Sequence, residues 1–222
     1  MAIFVNEEHK ILMFVPNKCG TRYCKHVGLT KIQIHPCDVK RYRTVGIIRN
    51  PIDRFFSSAT QTLINSTGRP GKTGDFWEDR FLDVYSQWKG ALEIPNDTEE
   101  WIDGTHDTIV TTFKNFVTDL LPIIGKFPDG DPHFYAQHHE WTDLKIDEPE
   151  IIVPINNMSN WISENLGLPC DPPIGQSTHK VLLDQNKIID KDTEDILKDF
   201  YKIDNNIWLV TTLGTVVEDI LT

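Results

Sequence analysis

Three groups of residues carry types and spacings that can do chemistry. Lys18, Gly20, Thr21 and Arg22 follow at once on an apolar run that Pro16 closes. Lys and Arg bring positive charge, Thr brings a hydroxyl donor, and Gly lets the backbone approach a ligand closely. Set at the start of a helix, where unpaired N–H groups and a partial positive charge face outward, these make a cradle for an anion such as a phosphate. Arg49 and Ser57 form a second group. A guanidinium fork gives a phosphate two parallel hydrogen bonds, and a hydroxyl can add a third. His133 heads the third group, with His138, His139 and Glu140 close behind. An imidazole titrates near neutral pH and is suited to taking a proton from a hydroxyl.

The elements that must hold these residues are readable from periodicity and breakers. Lys10 to Pro16 reads as a buried strand, and Asn17 to Arg22 as a turn whose Thr21 caps a helix running toward Leu29. Thr44 to Ile48 reads as a second buried strand. Asn50-Pro51 ends it, and a helix from Ile52 to about Leu63 follows with Phe55, Phe56 and Ala59 on one face. Both anion-binding groups thus stand in strand–turn–helix units, with Arg49 at a strand end and Ser57 about two turns into the next helix. Ligands of open α/β sheets bind at such strand ends.

Farther on, Asn65 to Asp75 holds Gly, Pro and basic residues and reads as a surface loop suited to gating a substrate. Phe76 to Leu92 reads as a helix whose aromatic residues, Trp77 to Trp88, form a core face. Thr111 to Ile124 reads as another helix. Phe127 to Trp141 is irregular. Ile151 to Ile155 reads as a third strand, Met158 to Leu166 as a helix, Cys170 to Lys180 as a Pro-rich connection, and Asp192 to Tyr201 as a late helix. The expected fold is α/β, a three-layer core whose central parallel sheet is flanked by helices, with a helix-rich C-terminal half. Residues 1–222 are expected to form a single domain.

Composition narrows the class. The chain carries a net charge of −11, yet residues 1–54 hold ten Lys/Arg against four Asp/Glu. A basic first quarter on an acidic protein fits a local anion site. The acidic remainder would repel a nucleic-acid backbone, so no nucleic-acid partner is expected. No apolar run reaches membrane-spanning length, and residues 1–10 lack the pattern of a signal peptide. A soluble, cytoplasmic protein is expected. Cys19, Cys24, Cys37 and Cys170 form no CxxC pair, and no His pair has zinc-finger spacing. Four reduced thiols and no metal site are the expectation.

Pro16-Asn17-Lys18-Cys19-Gly20-Thr21 resembles the 5′-phosphosulfate loop of sulfotransferases, commonly Pro-Lys-x-Gly-Thr, with Asn17 inserted between Pro and Lys. Arg49 to Ser57, within IIRNPIDRFFSSA, resembles the 3′-phosphate motif of the same superfamily, Arg-x-Pro-x-x-Arg-x-x-Ser. Asp131 to Gln137 resembles a His-aromatic segment of the Golgi carbohydrate sulfotransferases. Tyr201, Asp204 and Trp208 resemble a Tyr-x-x-Asp-x-x-x-aromatic arrangement near their C-terminal end. The resemblance implies transfer of a sulfuryl group from 3′-phosphoadenosine-5′-phosphosulfate (PAPS) to a hydroxyl acceptor, a glycan or small molecule, leaving 3′-phosphoadenosine-5′-phosphate (PAP). It implies that Asn17, Lys18, Cys19, Gly20, Thr21 and Arg22 line the 5′ side. Arg49 and Ser57 would hold the 3′-phosphate, and Arg54 would take a structural ion pair. Lys18 and His133 would then be the catalytic pair, with His138, His139 and Glu140 as alternative bases and no metal needed.

Two other classes compete. A nucleoside or small-molecule kinase would use a similar loop, but the Walker A pattern GxxxxGK[ST] is absent. A non-catalytic nucleotide- or glycan-binding module would bind PAP without turnover.

Overall fold

The computed structural model describes residues 1–66, 106–142, 144–146, 148–169 and 185–213. The expected helix at 76–92 and the whole connection at 170–180 lie outside these residues, as do residues 67–75 of the expected loop. Asn65 and Ser66 belong instead to the preceding helix.

Five strands form one sheet: β1 Ala2–Asn6, β2 Ile11–Val15, β3 Thr30–Ile32, β4 Arg43–Ile48 and β5 Ile151–Pro154. Their order is β3-β1-β2-β4-β5. β2, β4 and β5 are mutually parallel, as expected. β1 is antiparallel to both β2 and β3, so the sheet is mixed rather than wholly parallel. The cause is a hairpin that joins β1 to β2. Asn6 Oδ1 accepts the His9 N–H at 2.9 Å, and Lys10 adopts a left-handed φ of 52°. A polar side chain closing its own turn replaces the Gly or Pro that would have marked it.

Side chains alternate across the sheet. Phe4, Met13, Val15, Val45 and Ile47 pack on one face with Tyr23, Cys24, Met158 and Ile162. Ile3, Val5, Leu12 and Phe14 pack on the other with Trp141 and Ile207. The first face is covered by α1 Thr21–His26 and by a helix at Met158–Leu166, the second by helices at Gln137–Thr142 and Lys202–Leu213. The period-2 pattern of β1 and β2 dictates this double covering, because both sets of side chains are apolar. Each buried Phe or Leu contributes about 1.5–3 kcal/mol.

After the short α2 Pro36–Val39 and β4 comes α3 Pro51–Ser66. Asn50 Oδ1 accepts the N–H groups of Ile52 and Asp53 at 2.9 and 3.3 Å, so Asn50 caps α3 and Pro51 takes its first position. The expected single helix at 111–124 divides into α4 His106–Asn115, a π-helical turn Phe116–Leu120, and α5 Leu121–Ile124. Pro122 cannot donate to the ladder, which accounts for the break. A second core forms where Phe55, Phe56, Phe113, Phe116, Phe134 and Leu197 meet. The remaining helices are α6 Gln137–Thr142, α7 Met158–Leu166, α8 Gln185–Ile188, α9 Lys191–Phe200 and α10 Lys202–Leu213. No described helix is long and apolar enough to cross a membrane.

Candidate functional site

The loops leaving the C-terminal ends of β2 and β4 lie side by side because those strands pair in parallel, Leu12 opposite Thr44 and Phe14 opposite Gly46. Pro16 to Gly20 forms the first loop. The Cys19 N–H bonds the Pro16 carbonyl at 3.0 Å, and Lys18 turns left-handed at φ 67°. Gly20, at φ 99°, stands as the N-cap of α1, so the cap is Gly20 and Thr21 is the first helical residue. That conformation favours Gly, and a Cβ here would meet Met158 Cε at 2.5 Å, the end of a flexible side chain that can move aside. Gly20 is therefore fixed chiefly by its backbone.

Arg49 joins the two loops. Its Nη1 donates to the Lys18 carbonyl at 3.1 Å. Burial pulls the Lys18 ammonium down to about 8, and Arg22 and Arg49 pull it in the same direction, while Asp131 opposes them. Burial also holds Arg49 below its ordinary value. Among the described residues, no carboxylate comes within ion-pair distance of Lys18, Arg22 or Arg49. Crowded, partly desolvated cations of this kind gain most from a polyanionic ligand.

The other members take distinct places. Asn17 is partly buried and offers its carbonyl to Arg54 Nε at 3.0 Å. Cys19 is buried and its thiol donates to Gln137 Oε1 at 3.2 Å; burial pushes that thiol up to about 12. The Cys19 side chain thus shapes the loop from inside and does not face a ligand. Thr21 is partly buried and Arg22 exposed in the first turn of α1. Ser57 is partly buried on α3, beside Ser58, which is buried and donates to the His133 carbonyl at 2.9 Å.

His133 reaches this cluster through Asp131. The Asp131 carboxylate, fully buried, accepts the His133 N–H at 2.8 Å and lies 3.0 Å from His133 Nδ1. With Nδ1–H directed at Asp131, the lone pair is on Nε2, the form a general base needs. Asp131 is also close enough to act on the Lys18 charge. Of the alternative bases, Glu140 and His139 are otherwise engaged, whereas His138 forms a pair with Asp204 like that of His133 with Asp131. Glu140 is buried and pairs with Arg54 Nη2 at 3.1 Å. His138 Nδ1 lies 2.8 Å from Asp204 Oδ1. The His139 ring packs on Phe127 and on His138, and burial lowers its pKa.

The structure adds residues that hold the site together. Arg54 is 1% exposed and donates to the carbonyls of Asn17, Pro132 and Tyr135 as well as to Glu140. Its expected structural ion pair is present, and it also ties the Lys18 loop to the His133 segment. Tyr201 Oη donates to the Phe134 carbonyl at 2.8 Å, and Asp204 accepts the N–H groups of Gln137 and His138. The Tyr201/Asp204 pair thereby braces the His133 segment from behind. The sequence pointed to these two through the Tyr-x-x-Asp spacing, but it carried no sign of the contact.

Cys19, Cys24 and Cys37 are free thiols, and Cys170 lies outside the described residues. Among the described residues, no group of three His, Cys, Asp or Glu is arranged to hold a metal ion. No family model, no curated protein and no solved structure matches the chain.

Proposed function

We propose that the chain is a sulfotransferase that moves a sulfuryl group from PAPS, its donor substrate, to an acceptor hydroxyl, a carbohydrate or a small molecule, on a P-loop-like α/β core. The observation that carries this reading is the apposition of the Lys18 and Arg49 loops at adjacent parallel strand ends, bonded from Arg49 Nη1 to the Lys18 carbonyl. Two separate basic groups side by side fit a nucleotide with two anionic ends. The His133–Asp131 pair beside them supplies a base.

The step is an in-line displacement. The acceptor oxygen attacks sulfur as the bond from sulfur to the 5′-phosphate oxygen breaks. The electron pair of that bond stays on the phosphate oxygen, and PAP leaves. The hydroxyl proton passes to His133 Nε2. Lys18 stabilises the charge that grows on the leaving oxygen, with Thr21 and the first-turn N–H groups assisting. Arg49 and Ser57 anchor the 3′-phosphate and so align the donor.

Titration calorimetry with PAP, followed by transfer of radiolabelled sulfate from PAPS to a panel of hydroxyl acceptors, tests the reading. Micromolar binding of PAP with transfer to at least one acceptor is expected. A wild-type chain that shows no affinity for PAP ends the proposal.

A further inference from the structure

Gln137 is fully buried and the chemistry above does not use it. Its side-chain amide nevertheless meets both anion-binding loops. Oε1 accepts the main-chain N–H of Arg49 at 2.9 Å, and Nε2 donates to the main-chain carbonyl of Arg49 at 2.8 Å. The same Oε1 accepts the Cys19 thiol at 3.2 Å. The amide thus pairs with Arg49 as a neighbouring strand would, just past the point where β4 ends at Ile48. Its own main-chain N–H is held by Asp204.

This placement matters because an arginine reaches a phosphate only as accurately as its backbone is held. Arg49 lies beyond the sheet ladder, where an unpaired peptide would be free to rotate. Gln137 removes that freedom and ties Arg49 to the Lys18–Cys19 turn. It also ties both to the segment that carries His133, four residues upstream. We propose that Gln137 is a positioning residue: it locks the Arg49 peptide so that the guanidinium meets the 3′-phosphate of the donor nucleotide. The proposal rests on the sulfuryl-transfer reading for the identity of that ligand.

A Gln137→Met chain keeps the volume and loses all three side-chain hydrogen bonds. The test compares its affinity for PAP with that for adenosine 5′-phosphate, which lacks the 3′-phosphate. The expected result is a loss of about tenfold or more for PAP, the worth of one charge-assisted contact, with adenosine 5′-phosphate changed by less than about threefold. A general loosening of the fold would weaken both nucleotides alike. PAP affinity within about threefold of wild type in a folded Gln137→Met chain overturns the proposal. If that chain does not fold, Gln137→Asn, which keeps a neutral amide but is one methylene too short to hold the Arg49 peptide, is read by the same ratio.

Amide hydrogen exchange at Arg49 separates this proposal from the reading beneath it. If wild type does not distinguish PAP from adenosine 5′-phosphate, the nucleotide reading fails. The lock is then judged on exchange alone. Exchange at Arg49 at least about tenfold faster in Gln137→Met upholds it, and unchanged exchange overturns it.

Discussion

Arg49 Nη1 donates to the main-chain carbonyl of Lys18 across 3.1 Å, which fixes two cationic loops against each other at the ends of parallel strands. The bond does not neutralise either charge. Lys18 therefore remains a cation in a crowded, partly buried place, and that has a measurable cost.

Lys18 titrates at about 8 in the folded chain, against a value of 10.5 for an unperturbed lysine. Between those values the unfolded chain holds more protons, so the Lys18 contribution to stability rises with pH across that window and is least favourable below it. Lys18→Met should thus be more stable than wild type at pH 7 by on the order of 1–2 kcal/mol, allowing for solvent screening. The gap should narrow as pH rises from 8 toward 10.5. Urea unfolding of both chains at pH 7, 9 and 10.5 checks this. A variant that is less stable at pH 7, or a gap that does not narrow, contradicts it. Adding PAP at pH 7 should reverse the order, because the ligand stabilises wild type more.

Much of this site was legible before the fold was known, and the reason is local. Lys18, Gly20 and Arg49 announce themselves by residue type next to an apolar strand and a breaker, and strand–turn–helix units carry them to one edge. The parts that were not legible depend on distant contacts. The β1–β2 hairpin is closed by Asn6 and a left-handed Lys10, with no Gly or Pro to punctuate it, so the antiparallel edge of the sheet stayed hidden. The helical cap fell to Gly20 rather than Thr21 because the residue ahead of the helix is left-handed, a backbone that favours Gly. Gln137 lies 88 residues from Arg49 and 118 from Cys19, and no periodicity encodes such a meeting. Its type, a neutral amide, gave no cue beyond its place at the end of the His-aromatic segment.

The His133–Asp131 pair yields a second expectation. His133→Ala should reduce transfer to any acceptor that wild type sulfates by about 10²–10⁴-fold, the usual worth of a general base. PAP affinity should change by less than about threefold, since the base acts on the acceptor. Asp131→Asn tests the tautomer. An amide can present its NH2 to His133 Nδ1 and so favour the proton on Nε2, the wrong nitrogen for a base. Turnover should then fall by at least about tenfold while His133 itself is intact. Full activity in His133→Ala would move the role of base to another group.

Arg54 gives the sharpest stability test, because its guanidinium is 1% exposed and faces Glu140 and three main-chain carbonyls. Removing it leaves the buried Glu140 carboxylate with the Met1 ammonium, 3.1 Å from Oε2, but without its guanidinium. Arg54→Ala should cost about 3–5 kcal/mol by chemical denaturation, the usual penalty for breaking a buried pair on one side. Arg54→Lys keeps the charge but has a single ammonium where the fork served several acceptors, and part of the loss should remain. Glu140→Gln removes the opposing charge while leaving an oxygen to accept from Arg54 Nη2, so it should cost less than Arg54→Ala. Combining Arg54→Ala with Glu140→Gln should recover part of the stability lost in Arg54→Ala alone, because a buried carboxylate left with the Met1 ammonium as its one cation is gone. The coupling energy of that cycle measures the pair itself. A cost below about 1 kcal/mol for Arg54→Ala would mean that the carbonyls of Asn17, Pro132 and Tyr135 find other donors and that Arg54 does not tie the two loops.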